Sequence, residues 1–500
     1  MLTIKASGII AAAVLFAAPA LPGNRRFESA LTLDSSDARL VEAFNWAKRQ
    51  ALEFAFDGDP VGLWYEAALP GREAFCMRDV AHQATGAHAL GLAPHTRNML
   101  HRFAENISES KDWCSYWEID RYNRPSPADY KSDSEFWYCL PANYDVLDAC
   151  YRMFLWTGDL TYLDDPAFLN FYNRTVTDFE RRWNLDLDRI MRRKRFENIS
   201  GGDFDPHNPF LFFRGNPSYN EHREDFVLGV DLLATQYAAY RSYASIQEAR
   251  ENDPLAQTYT ARAAAVKALI NNSWWDETVK QFHAQLNKDY QFEGRDTSNV
   301  LYRDAADDGP KLKGTLNAFL EEIEKTPSSG VEGQSHHAEI LYRYGALDAA
   351  YRQMMDLARP GRDRREYPEV SYSIVGAIVT GLMGISPGSL VEQPGYTLSG
   401  AQFISTQSGL GNIGWAELRN VPVHHNKVTV RHESARKTRF TNQEGPSIIW
   451  RATFPGGYQT LLLNGKPLKA RVELSTLNRE ISSIDVPVAP GVTVEAETPH

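Results

Sequence analysis

Apolar positions recur at helical spacing through most of residues 37–385. In DSSDARLVEAFNWAKRQALEF, capping residues precede Leu40, Phe44, Ala47 and Leu52. DVLDACYRMFLWTGD repeats the style and stops at Gly158, and DFVLGVDLLATQYAAYRSYASIQEA reads as one long apolar-rich helix. PLAQTYTARAAAVKALINNSWW opens on Pro254, which a first helical turn tolerates. HHAEILYRYGALDAAYRQMMDLA reads as two helices broken at Gly345, and IVGAIVTGLMGI as a buried helix too short to span a bilayer. In all, about eleven helical segments are expected. Long polar, aromatic and Gly/Pro-containing loops separate them at residues 111–134 and 201–224, and such loops usually carry function.

After ISPGSLVEQPGY the period changes from helical to alternating. NKVTVRHE, KTRFTNQ, SIIWRATF, YQTLLLNG, ARVELSTL and GVTVEAE are separated by turns every ten residues or so, the pattern of a β-sandwich. The expected organisation is a leader over 1–20, a helical catalytic domain over 21–390 and an antiparallel β-sandwich over 391–500. The leader rests on Lys5, the apolar run Ile9 to Ala18 and the small residues of APA at 18–20. It implies a secreted or periplasmic protein, with no membrane contact after its removal.

Composition narrows this little. The formal charge of −11 argues against a nucleic-acid partner. Aromatic content of 12% suits sugar faces as well as a large core. Cys76, Cys114, Cys139 and Cys150 permit two disulfides in an exported protein, or four buried thiols. Asn106, Asn173, Asn198 and Asn271 open glycosylation sequons, relevant only in a eukaryotic host. There is no HExxH, no phosphate loop and no GxSxG elbow, so no metal and no cofactor are expected.

The candidate chemistry starts in LPGREAFCMRDVAHQ, residues 69–83. Asp79 opens a helix, where the dipole favours a carboxylate. Glu73 sits in a PGRE turn beside Phe75, Cys76 and Met77, apolar neighbours that raise a carboxyl pKa as a general acid requires. The alternative is a loop salt bridge to Arg72 or Arg78. Partner carboxylates are offered by Glu332 and Glu339 in GVEGQSHHAEILYRYG, Glu339 reading as structural inside a helix, and by Glu366 and Glu369 before the last apolar helix. DWCSYWEIDRYNRP supplies Trp113, Tyr116 and Trp117 as stacking rings, with Glu118 and Asp120 as rival acids. The loop DFDPHNPFLFFRGNPSYNEHREDF supplies Arg214, Tyr219 and Glu221 as sugar contacts.

Taken in order, these segments resemble the six-hairpin (α/α)6-barrel glycosidases, above all the α-L-rhamnosidase type, whose D-C-P-x-R-E-R-x-x-W-x-G-D motif is matched at Pro70, Arg72, Glu73 and, one residue early, Asp79. LWTGD, LYRYGALDAAY, EYPEVSYSIVGAIVTGLMGI and PGY resemble the family's later stretches. The family's first Asp is Ala68 here and its Trp is missing, while Arg78 and His82 are added. The resemblance implies an (α/α)6 toroid and inverting hydrolysis of a carbohydrate substrate. Glu73 would be the acid and Glu369, or failing that Glu366, the base. Arg72, Arg78, Asp79, His82, Trp117, Arg214, Tyr219, Glu221, Glu332 and His336 would bind the sugar. Arg78 suits a substrate carboxylate, and REAFCMRDVAHQ resembles the exo-β-glucuronidase branch. The expected reaction is therefore removal of a terminal β-D-glucuronic acid from a plant or microbial polysaccharide. An α-L-rhamnosidase, a uronate lyase with a His or Tyr base, and a non-catalytic glycan-binding protein are the alternatives.

Overall fold

The computed structural model describes residues 27–194, 207–221, 226–325, 330–389 and 402–499. The expected leader, Asn198, the segment 222–225 and the PGY at 394–396 lie outside the described residues.

Helices alternate along the chain between an outer and an inner ring. The inner ring is built from Met77–Ala89, Pro141–Thr157, Val230–Ala249, the single turn Asn299–Tyr302, His337–Arg343 and Pro368–Ala377. Between them run the outer helices Ala38–Glu53, Ala93–Glu105, Pro166–Arg174, Asp253–Ser273, Pro310–Lys325 and Leu347–Leu357. The ring closes where Pro368–Ala377 packs against Met77–Ala89. That contact needs Gly86, because a Cβ there would lie 2.1 Å from the Tyr372 carbonyl oxygen. Burial follows the ring: Pro141–Thr157 is buried on nearly all sides, whereas Asp253–Ser273 buries one stripe. The chain thus has the (α/α)6 toroid with a C-terminal β-sandwich expected of it.

Local starts and stops follow the sequence signals. Asp37 caps the first helix by accepting the Arg39 N–H at 3.0 Å, and Gly158 ends its helix at φ +67°. One expectation is corrected: Phe226–Gly229 is a strand paired with Gln285–Asn287, and the helix begins only at Val230.

The sandwich has a seven-stranded and a five-stranded sheet. Thr32–Ser35, from the other end of the chain, forms one edge of the larger sheet on Trp415–Val423. Ile385–Ser389 opens the smaller sheet, a few residues ahead of the expected boundary at 390. Its pairing is not wholly antiparallel, since Gln402–Gln407 runs parallel to Ile448–Pro455. The sandwich abuts the C-terminal ends of the inner helices. His88 Nε2 lies 2.9 Å from the Pro422 carbonyl oxygen, and the His424 N–H donates to the Trp156 carbonyl at 2.6 Å. The helix N-termini open at the opposite end of the toroid. All four cysteines are buried free thiols, and Asn271 is buried, so its sequon is sterically closed.

Candidate active site

At the N-terminal ends of the inner helices lies a cavity of about 1410 Å³. Two first turns supply its central carboxyl groups. Cys76, extended at the end of strand Ala74–Cys76, leads into Met77–Ala89 and places Asp79 in its first turn. Pro368 starts the neighbouring inner helix and places Glu369 in its first turn. Both side chains line the cavity, and Glu369 is only 8% exposed. Burial pushes the Glu369 carboxyl well above the ordinary range, and the Asp79 carboxylate pushes it further. Burial also raises Asp79, but Arg78 opposes this by donating from Nε to Oδ1 at 3.1 Å. Two carboxyls in one dry site cannot both ionise freely. The Arg78 contact favours charge on Asp79, so Glu369 is the more readily protonated of the two.

Arg78 is the hub of this corner. Its other contact is Glu221, at 3.5 Å from Nη1, and its guanidinium lies 5.4 and 5.9 Å from the Tyr219 and Trp117 ring centres. A second acidic group lies on the adjoining wall. Cys76 pairs with Glu118 across a two-stranded ribbon, and Arg72 Nη1 bridges Glu118 and Asp129 at 3.1 Å each. Burial and the Glu118 charge push Asp129 up to about 7, while Arg72 pulls it down. Across the cavity Arg303 holds Asp145, which also accepts the Tyr219 hydroxyl, and Asp231 accepts the Tyr219 N–H at 2.6 Å.

Imidazoles line a third wall. His82 Nδ1 and Nε2 lie 3.3 Å from the Tyr302 hydroxyl and 3.1 Å from the Ser335 hydroxyl. His336 sits against His82 with ring centres 3.7 Å apart, and its Nδ1 has no hydrogen-bond partner among the described residues. Burial lowers His82 to about 4 and His336 well below its ordinary value, so both rings are neutral near pH 7. Glu332 lines the cavity and pairs with Arg364 at 2.9 Å.

Three expected site residues lie elsewhere. Glu73 does not line the cavity: its backbone is left-handed at φ +52°, its side chain is 54% exposed, and Arg121 holds it at 2.6 Å. The PGRE turn aims it outward, so it cannot be the acid inside the ring. Glu366 is 63% exposed beside Arg365, one turn outside the mouth. Arg214 is fully buried between Phe136 and Trp183, ion-paired with Asp112, and is structural. Trp113 and Tyr116 also miss the cavity, and Asp120 caps the turn that carries Arg124. The remaining expected contacts, Arg72, Arg78, Asp79, His82, Trp117, Tyr219, Glu221, Glu332 and His336, meet in one space. Asp129, Asp145, Asp231, Tyr302 and Arg303 were not singled out from sequence. Asp145 and Asp231 sit in helices that read as core, and only their place in first or second turns hints at a mouth. No group of three or more His, Cys, Asp or Glu side chains among the described residues is arranged to hold a metal ion.

No protein-family model matches the chain, and no curated protein matches it in sequence. Solved structures do resemble it. An α-L-rhamnosidase from Dictyoglumus thermophilum is 12% identical with a TM-score of 0.58, over 94% of this chain and 50% of that one. The native α-L-rhamnosidase from Aspergillus terreus is 14% identical with a TM-score of 0.52, over 92% and 50%. A sialidase is 12% identical with a TM-score of 0.54, over 90% and 41%. The chain spans about half the length of the first of these structures. At such identity the likeness establishes the six-hairpin glycosidase fold.

Proposed function

We propose that the chain is an exo-acting glycoside hydrolase that removes a terminal sugar from a polysaccharide. The observation that carries this reading is the Asp79–Glu369 pair, two carboxyls in the first turns of neighbouring inner helices that line one cavity at the mouth of a helical ring, Glu369 buried and Asp79 held by Arg78. Hydrolysis of a glycosidic bond needs one carboxyl to protonate the leaving oxygen and one to activate water or attack. Glu369, the protonated member, donates to the glycosidic oxygen. Asp79, kept ionised by Arg78, activates the water, and the outcome is inversion. Glu369 thus stays in the pair but takes the acid role first given to Glu73.

Charge ranks the substrates. Eleven acidic side chains and five arginines line the cavity among the described residues. Each arginine already holds a carboxylate: Arg72 has Glu118 and Asp129, Arg78 has Asp79 and Glu221, Arg295 has Asp276, Arg303 has Asp145 and Arg364 has Glu332. A neutral ring such as rhamnose meets less repulsion here than a uronate. Glucuronic acid is the second reading, favoured by the long Arg78–Glu221 contact, which a substrate carboxylate could replace.

A panel of aryl glycosides, α-L-rhamnoside and β-D-glucuronide first, tests the reading. Turnover with release of the inverted anomer, followed by proton NMR of the nascent product, is expected. Retention would make Asp79 a nucleophile instead. An unsaturated product absorbing in the near ultraviolet would favour a lyase, for which neutral His82 and His336 beside Tyr302 offer a base.

A further inference from the structure

The cavity is larger than the roughly 300–1,000 Å³ that usually houses one small ligand. Space therefore remains once a single ring occupies the Asp79–Glu369 corner. One wall of that space is aromatic. Phe136 and Tyr138 are buried, so the alternation of extended chain turns Trp137 the other way, where it lines the cavity half-buried. Phe213 stacks on Trp137 with ring centres 3.9 Å apart at 25°, which fixes the indole plane. Pro209 and Phe210, from the same turn as Phe213, extend the apolar lip. The lip is tied to the reacting corner. The Trp137 backbone N–H donates to the Asp129 carbonyl at 2.8 Å, the Asp129 carboxylate meets Arg72, Arg72 meets Glu118, and Glu118 feels the charge of Asp79.

We infer that Trp137 is the platform of a leaving-group subsite that holds a neutral sugar ring of the departing chain. This rests on the hydrolase reading above and goes beyond it. A flat indole offers its π face to the C–H face of a pyranose, while Asp129 beside it can accept the ring's hydroxyl protons. An apolar lip inside an otherwise acidic cavity suits a molecule with one apolar face and a polar edge. A uronate leaving ring would face Asp129 and Glu118, whose shared cation, Arg72, already bridges both carboxylates.

The test uses the full chain and two substrate forms, α-L-rhamnosyl and β-D-glucuronosyl fluoride, whose leaving group is too small to reach the lip, and the matching disaccharides with glucose as leaving group. For whichever glycosyl group turns over, Trp137→Ala should lower the ratio of kcat/KM on disaccharide to kcat/KM on fluoride about tenfold, mainly through KM. Trp137→Phe should restore most of that ratio. An unchanged ratio, or an equal loss on both forms, overturns the subsite and leaves the hydrolase reading intact. Failure of the wild-type chain to act on any of the four overturns the reading and the subsite with it. Thermal melts of both variants separate a folding defect from a binding one, since a defect in folding lowers both rates together.

Discussion

Glu73 and Asp79 stand six residues apart in one stretch of chain, and their fates are opposite. Glu73 lies in a turn whose left-handed backbone carries it out to Arg121. Asp79 lies in the first turn of an inner helix and points into the cavity with Arg78 and Glu369. Nearby apolar residues in sequence do not desolvate a carboxyl. Phe75 and Met77 are buried in the core and Cys76 borders the cavity, while Glu73 faces water. What counts is which element carries the residue and where that element starts.

The largest expected effect follows directly. Asp79→Asn and Glu369→Gln should each lower kcat/KM by about 10²–10⁴-fold, the usual worth of a positioned acid or base. Glu73→Gln should stay within about threefold, because an exposed pair contributes only about 0–1 kcal/mol and does not touch the cavity. Steady-state kinetics on the best aryl glycoside decide this. A loss in Glu73→Gln as deep as in Asp79→Asn would erase the comparison.

Arg78 sharpens the same contrast through pH. It lowers the Asp79 pKa against burial, so Arg78→Gln lets that pKa rise. A base must be ionised to act, so the acid limb of the kcat/KM profile should move to higher pH, together with a drop in rate. A Glu73→Gln profile should keep the wild-type limb. An acid limb that Arg78→Gln leaves in place would mean that Asp79 is not the ionised partner.

How much of this was legible in sequence depends on length scale. The ring of helices could be read because inner helices such as Pro141–Thr157 are apolar over long runs and end at glycines. The sandwich strands could be read from their alternation, but Phe226–Gly229, a strand of the helical domain, looked like the start of a helix, since a short apolar run does not distinguish the two. Asp79, Glu369 and Arg78 were legible as residues at predicted helix starts. The direction of Glu73 was not, because a positive φ at a non-glycine residue leaves no mark in composition. Nor were Asp129, Asp145 and Trp137, whose importance comes from loops and helices brought together across more than fifty residues of chain.

The smallest effect concerns what keeps the outward turn in place. Glu66 is buried, and its carboxylate accepts the Gly71 N–H at 2.9 Å and the Glu73 N–H at 3.3 Å, which anchors the turn that carries Glu73 away. Burial nonetheless raises its pKa from 4.5 to about 7. The folded protein therefore binds more protons at this site than the unfolded chain between those two values. Its contribution to stability is fully present below pH 4.5 and is lost as pH rises through about 7. Glu66→Gln keeps an acceptor oxygen for the two N–H groups and removes the titration. Between pH 4.5 and 7 the variant should show a flatter fall in denaturation midpoint than the wild type, with kcat/KM little changed. If instead its activity fell with that of Asp79→Asn, the turn would be coupled to the cavity, and the separation between the two carboxylates would be less complete than their geometry indicates.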